Sequence, residues 1–182
     1  MHRMVQFTTL AAALLLPAYA SAQARQPAED SMAVGGAVGA FLPTEDGLDN
    51  ALYLEGQYQF QFTPRVGLRF GVGWTDPSFA REDEDSLRQI RIGADLLYNW
   101  EHGAWHPYVG GGLGAHLVQE KDNGRDLGDG ESKFGGSVLG GVEFFFTRDT
   151  VITGEFRYQI VQDVRGLSPS GVLLAAGVKK YF

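Results

Sequence analysis

The chain has 182 residues, room for one domain, and its 25 glycines are about twice the usual share. Beside them stand 12 Phe, 7 Tyr and 3 Trp, a pairing of glycine with aromatics that suits a β architecture. A formal net charge of −7 leaves no basic footprint for nucleic acid, and the lack of cysteine excludes disulfides, thiolate metal sites, a cysteine nucleophile and a lipid-anchored cysteine.

His2 and Arg3 open the chain, Val5 to Leu16 is mostly apolar, Pro17 ends that run, and Ala20-Ser21-Ala22 forms a small-residue cleavage site. This pattern predicts a secretory signal peptide over 1–22, with Gln23 as the first mature residue. The apolar run is shorter than the ~20 residues a spanning helix needs. Residues 23–31 read as a flexible polar leader, and 32–182 as a single barrel domain.

Strand-like segments follow at about 32–42, 51–62, 66–75, 87–100, 106–118, 134–146, 150–161 and 171–182. Alternation is cleanest in the second to fourth. Leu52, Leu54, Tyr58, Phe60 and Phe62 oppose Tyr53, Glu55, Gln57, Gln59 and Gln61; Val66, Leu68, Phe70, Val72 and Trp74 oppose Gly67, Arg69, Gly71 and Gly73; Ile90, Ile92, Leu96 and Tyr98 oppose Gln89, Arg91, Asp95 and Asn99. The period is two, not 3.6, and no helix is expected after the signal. The final segment, Gly171 to Phe182, has no downstream partner. An uncovered edge invites aggregation, so the first strand is expected to pair with it and close the sheet.

The fold class is therefore all-β: an eight-stranded antiparallel up-and-down transmembrane barrel. An eight-stranded barrel has an interior just wide enough for side chains. The large apolar face would overfill it, whereas glycine with scattered Gln, Glu and Arg fits. The apolar face is therefore expected outside, against lipid, and the segment lengths match the ~9–11 residues a tilted strand needs to cross. The connections 43–50, 63–65, 76–86, 101–105, 119–133, 147–149 and 162–170 alternate long and short. Short periplasmic turns and longer extracellular loops would give this alternation, with both mature termini in the periplasm. Phe60, Phe62, Tyr98, Trp100, Tyr108, Phe144, Phe146 and Phe182 are expected in a girdle at the periplasmic interface, and Phe41, Trp74 and Phe134 at the outer one.

The segment His106-Pro107-Tyr108-Val109-Gly110-Gly111-Gly112-Leu113-Gly114 resembles the Pro-Tyr-x-Gly-x-Gly-x-Gly strand of the outer-membrane protein A-like N-terminal β-barrel superfamily. With the signal peptide, the eight segments and the terminal Phe182, the resemblance spans the mature chain, without the peptidoglycan-binding domain of full-length relatives. It implies a small porin-like or structural barrel of the Gram-negative cell envelope, delivered by periplasmic chaperones and the β-barrel assembly machinery. Phe182 is expected to form part of the assembly signal. Lys180 departs from the pattern, standing where such barrels carry an apolar residue.

Parity places Glu55, Arg69, Arg91, Asp95, Glu143, Glu155, Arg157 and Lys179 inside, four acids against four bases. Arg69, Glu143 and Lys179 are expected in a shallow layer near the periplasmic end and the others nearer the middle. Paired, they would plug the lumen and leave little or no steady pore. The glycines at 110, 112, 114, 135 and 141 are expected to face inward and relieve crowding. No catalytic, cofactor or metal site is expected. His116 points inward without a nearby serine, and His102 and His106 lie at the periplasmic end, so no Ser–His–acid arrangement forms at the outer leaflet. Glu82 to Asp85, and Asp122, Asp126, Asp129 and Glu131, read as solvated acidic loops that could bridge to lipopolysaccharide phosphates through divalent ions.

The leading reading is thus a structural outer-membrane barrel, not an enzyme, expected to be monomeric, with outer-membrane lipid and lipopolysaccharide as its surroundings. The alternative is a surface adhesin or host-factor binder acting through the long loops. A lipid A-modifying barrel enzyme and a soluble lipocalin-type carrier fit the residues less well.

Overall fold

The computed structural model describes residues 27–45, 48–79, 82–100, 103–122, 125–126, 130–163 and 168–182. The signal peptide, His102, and Gly128 and Asp129 of the third long loop lie outside the described residues. The strands are β1 (Met32–Pro43), β2 (Ala51–Gln61), β3 (Val66–Thr75), β4 (Ser78–Phe79), β5 (Glu82–Asn99), β6 (Trp105–Asp122), β7 (Arg125–Asp126), β8 (Glu131–Phe145), β9 (Thr150–Val161) and β10 (Gly171–Tyr181). Eight are long and antiparallel, in the order β5-β3-β2-β1-β10-β9-β8-β6, and the β5–β6 pairing closes the ring.

The last strand does pair with the first, from Ala33 opposite Tyr181 to Pro43 opposite Gly171. The seam continues one residue further. Phe182 N–H donates to the Met32 carbonyl at 2.9 Å, and Met32 N–H donates back at 3.2 Å. Among the described residues no long strand is left with a free edge, which answers the hazard posed by a strand at the end of the chain.

Alternation fixes the two faces. Along β2 the side chains of Tyr53, Glu55, Gln57, Gln59 and Gln61 are buried while Leu52, Leu54 and Tyr58 are exposed. The outer surface carries large apolar side chains all round, including Val38, Phe70, Ile92, Leu113, Phe134, Val138, Phe156 and Leu174; Leu113 is 76 % exposed. An apolar belt of this extent on a soluble protein would be a large sticky patch, whereas a bilayer covers it without cost.

The turns at 62–65 and 146–149 are built alike. Thr63 Oγ1 accepts from Val66 N–H at 3.0 Å, and Thr147 Oγ1 accepts from Thr150 N–H at 3.0 Å. The hydroxyl supplies a local acceptor where the ladder stops. The β5–β6 turn instead uses Gly103 at φ +64°, a backbone conformation costly for a residue with a Cβ. In the 147–150 turn, hydrogen bonds from the hydroxyls of Thr147 and Thr150 and the nearby Lys180 ammonium hold the Asp149 carboxyl below the usual carboxylate range. Lys180 Nζ stands 3.8 Å from Asp149 Oδ2. The lysine thus lies on the lipid-facing side but reaches the turn with its charge, as long cationic side chains do at interfaces.

Two expectations change. The β5–β6 hairpin continues beyond the 87–118 segment of regular alternation, as far as Ser86 opposite Lys121, and is flanked by β4 and β7. Above the apolar belt the backbone pairing persists while the selection for alternation lapses, so the sequence pattern ends before the strands do. Tyr108 and Phe41, expected in the aromatic girdles, are 2 % and 1 % exposed and lie inside. Tyr108 shares its parity with His106 and Gly110, and the period-two rule overrides the preference of aromatics for interfaces.

Candidate functional site

The candidate site is the lumen, and its inward residues fall into layers. At the long-loop end, Leu48, Leu87 and Val118 form one apolar cluster, and Phe41, Tyr53 and Leu173 another. At the short-turn end, Ala33, Phe145, Val151 and Tyr181 form a third. The charged side chains sit between them.

The central group holds three arginines and three carboxylates. Arg157 touches all three acids: its Nη1 lies 3.1 Å from Glu55 Oε2, and its Nη2 lies 2.8 Å from Glu155 Oε1 and 3.3 Å from Asp95 Oδ2. Asp95 in turn receives all three bases. Arg69 Nη2 approaches its Oδ2 at 3.1 Å and Arg91 Nη2 its Oδ1 at 2.6 Å, in addition to Arg157. Arg69 Nη1 also reaches Glu155 Oε2 at 2.5 Å, and Arg91 Nη1 stands 3.9 Å from Glu55. The neutral members close the set. The Tyr108 hydroxyl donates to Glu155 at 2.8 Å, the Tyr53 hydroxyl to Glu55, and Ser137 to Asp95 at 3.4 Å.

A second, smaller group lies towards the short turns. Lys179 Nζ pairs with Glu143 and donates to Gln59 Oε1 at 2.9 Å; Tyr181 donates to Glu143 Oε2 at 3.0 Å. Each group is neutral by itself. Unpaired ions in so narrow a space would carry a heavy desolvation cost, and matched sets with several hydrogen bonds per ion reduce it.

All eight expected charges are buried or nearly so, and they divide three-plus-three and one-plus-one. Arg69 is not shallow. It stands directly opposite Asp95 across the β3–β5 ladder and its guanidinium joins the central group. Parity assigns a residue to a face but not a height, because strand stagger offsets the heights.

Glycine makes the space. Asp95 lies opposite Gly112, and a Cβ built on Gly112 would stand 2.1 Å from Asp95 Oδ1. Tyr108 lies opposite Gly141, where a Cβ would come within 2.6 Å of the ring and hydroxyl. The inward glycines thus leave room for particular large neighbours on the next strand.

Tyr53, Gln59, Tyr108, Ser137 and Tyr181 are further partners of the ions, and their inward parity is the sequence signal that marks them. His116 is buried in the lumen, its Nδ1 2.7 Å from Gln89 Nε2, as its parity indicates. Among the described residues no three His, Asp or Glu side chains are grouped so as to hold a metal ion.

The model of the outer membrane protein beta-barrel domain matches residues 8–179 of the sequence. Among solved structures, Neisserial surface protein A is 21 % identical with a TM-score of 0.68, covering 84 % of this chain and 97 % of its own. OprG from Pseudomonas aeruginosa is 12 % identical with a TM-score of 0.65, covering 87 % and 99 %. Ail, the attachment invasion locus protein of Yersinia pestis, in complex with the heparin analogue sucrose octasulfate, is 16 % identical with a TM-score of 0.57, covering 85 % and 99 %. These likenesses are of fold. No curated protein sequence matches the chain significantly.

Proposed function

Because the chain belongs to the outer membrane protein beta-barrel domain family, we propose that it is a structural, non-enzymatic barrel of the outer membrane whose lumen is plugged by its own ion pairs. One observation carries this reading: Arg157 ties Glu55, Asp95 and Glu155 together across the middle of the lumen, in a group that includes Arg69 and Arg91 and is neutral as a whole. A bundle of this kind occupies the cross-section with side chains that are costly to separate, and it leaves little or no steady pore. A lipid-modifying centre would have to face the bilayer, whereas His116 is turned inward and bonded to Gln89. The signal peptide, both termini in the periplasm, a monomeric state, and delivery by periplasmic chaperones and the barrel-assembly machinery belong to the same proposal, as do outer-membrane lipid and lipopolysaccharide as its neighbours.

A second reading, a surface adhesin or host-factor binder, draws support from the long-loop end. There the β5–β6 hairpin, flanked by β4 and β7, extends past the point where β3 ends, Thr75 lying opposite Gln89. Residues 44–50, 76–88, 119–133 and 162–170 together hold fourteen carboxylates and six Lys or Arg, a net charge of −8. This sign opposes a polyanion of the kind seen bound to Ail. Any partner of these loops would be cationic or bridged by divalent cations.

Placement in the membrane has a direct test. Cells expressing the chain with a protease site inserted at Gly128 should be cut from outside, and those with the site at Pro64 should not, with both proteins in the outer-membrane fraction. The reverse cleavage pattern would refute the orientation, and recovery only in the soluble periplasm would refute the membrane barrel.

A further inference from the structure

The last inward residue at the short-turn end of each long strand is Ala33, Gln61, Gly67, Asn99, His106, Phe145, Val151 or Tyr181, in chain order. One side of this rim, Ala33, Phe145, Val151 and Tyr181, is the apolar cluster already described. The other side runs over neighbouring strands β2, β3, β5 and β6 and is polar. Gln61, Asn99 and His106 are each 0 % exposed. Gly67 has no side chain, and the amide of Gln61 occupies the room beside it, its Oε1 lying 2.4 Å from where a Cβ would stand.

Three of these side chains are left with unanswered polar atoms. Neither polar atom of the Gln61 amide nor of the Asn99 amide has a hydrogen-bond partner among the described residues, and neither has His106 Nδ1. The other ring nitrogen of His106 lies 3.0 Å from the Gly103 carbonyl in the turn. A carbonyl can only accept, so this contact assigns the proton to Nε2 and leaves Nδ1 as a bare acceptor. Buried amide and imidazole groups are costly without partners, and native interiors answer such groups with protein or with ordered water. The ions one layer in do not supply the need: Lys179 and Glu143 bond to each other, to Gln59 and to Tyr181 on the apolar side of the rim, and Gln59 bonds to Tyr181.

We infer that Asn99 and His106, with Gln61 beside them, form a site for ordered water at the short-turn end of the lumen. The donor set is neutral, with two amide dipoles and one imidazole lone pair. That suits a molecule which both donates and accepts and carries no charge. An ion placed here would have no counter-charge within the rim and would upset the neutral Lys179–Glu143 group. A water can donate to His106 Nδ1 and to Asn99 Oδ1, and a second can accept from Asn99 Nδ2, within the two to four bonds a buried water makes. The inference rests on the charge-filled lumen only for its upper boundary, and a conductance measurement tests that boundary separately.

The test uses the whole barrel refolded in detergent micelles. The Asn99 side-chain amide protons, identified by their loss in Asn99→Leu, should show rotating-frame Overhauser contacts to water of the sign that marks direct proximity rather than hydroxyl exchange. The urea midpoint of Asn99→Leu should fall by roughly 0.5 M, because an answered amide is being removed. A midpoint that stays or rises would mean the amide had no partner to lose. That result, or the absence of water contacts at Asn99 in the native barrel, would overturn the site. A silent channel with no water at Asn99 would leave the plug standing and remove only the water.

Discussion

Replacing Arg157 with alanine is expected to destabilise the barrel in detergent micelles by roughly 3–5 kcal/mol, read from urea unfolding. The size follows from what the residue leaves behind. Glu55, Asp95 and Glu155 would lose their shared guanidinium, and only Arg69 and Arg91 would remain against three carboxylates. The group would change from neutral to net negative in a space with no counter-ion of its own. Entry of water would reduce the loss. Glu55→Gln keeps the shape and removes one charge at the edge of the group, so it should cost less, about 1–3 kcal/mol. Unchanged stability in both variants would mean that the ions are solvated individually and that the network carries no structural weight.

The second large effect comes from adding a single carbon. Gly112→Ala is expected to cost at least 1–3 kcal/mol, roughly the cost of overpacking a filled interior, and to reduce the heat-modifiable folded band. The new methyl would stand 2.1 Å from Asp95 Oδ1 and 2.4 Å from the Ala94 carbonyl oxygen, so Asp95 could not keep its place beneath three arginines. Gly56→Ala is the internal control. Gly56 lies on the outer face of β2, and a Cβ there would meet nothing within 4 Å. That change should be neutral or slightly stabilising, since glycine is a poor strand residue. Equal losses in the two variants would contradict the claim that inward glycines make room for specific neighbours.

Much of the architecture can be read from the residues because a barrel wall repeats one simple rule. The alternation of Leu52 to Gln61, of Val66 to Trp74 and of Gln89 to Asn99 assigns each side chain to lipid or lumen. The apolar belt must then lie outside, because an eight-stranded interior has no room for it. The same rule put all eight charges inside. It could not give their partners. Glu55 on β2 and Arg157 on β9 meet across the lumen, 102 residues apart in sequence, and no local pattern encodes that contact. Parity likewise leaves the height of Arg69 open, since stagger offsets the strands. Tyr108 and Phe41 lie inside because the strict period of the strand outweighs the preference of aromatic rings for interfaces. β5 and β6 run past their alternating residues because pairing continues where the bilayer no longer selects for alternation.

The measurement that bears most directly on the central claim is the current through single barrels. The refolded chain is inserted into a planar bilayer at moderate salt and held at a fixed voltage. A lumen crossed by the Arg157 group, with Lys179 and Glu143 paired beyond it, predicts a baseline without steady open steps. Arg157→Ala, if it folds, should show brief or partial openings as the remaining ions rearrange. A large, stable, ohmic pore in the unmodified chain would contradict the plugged lumen.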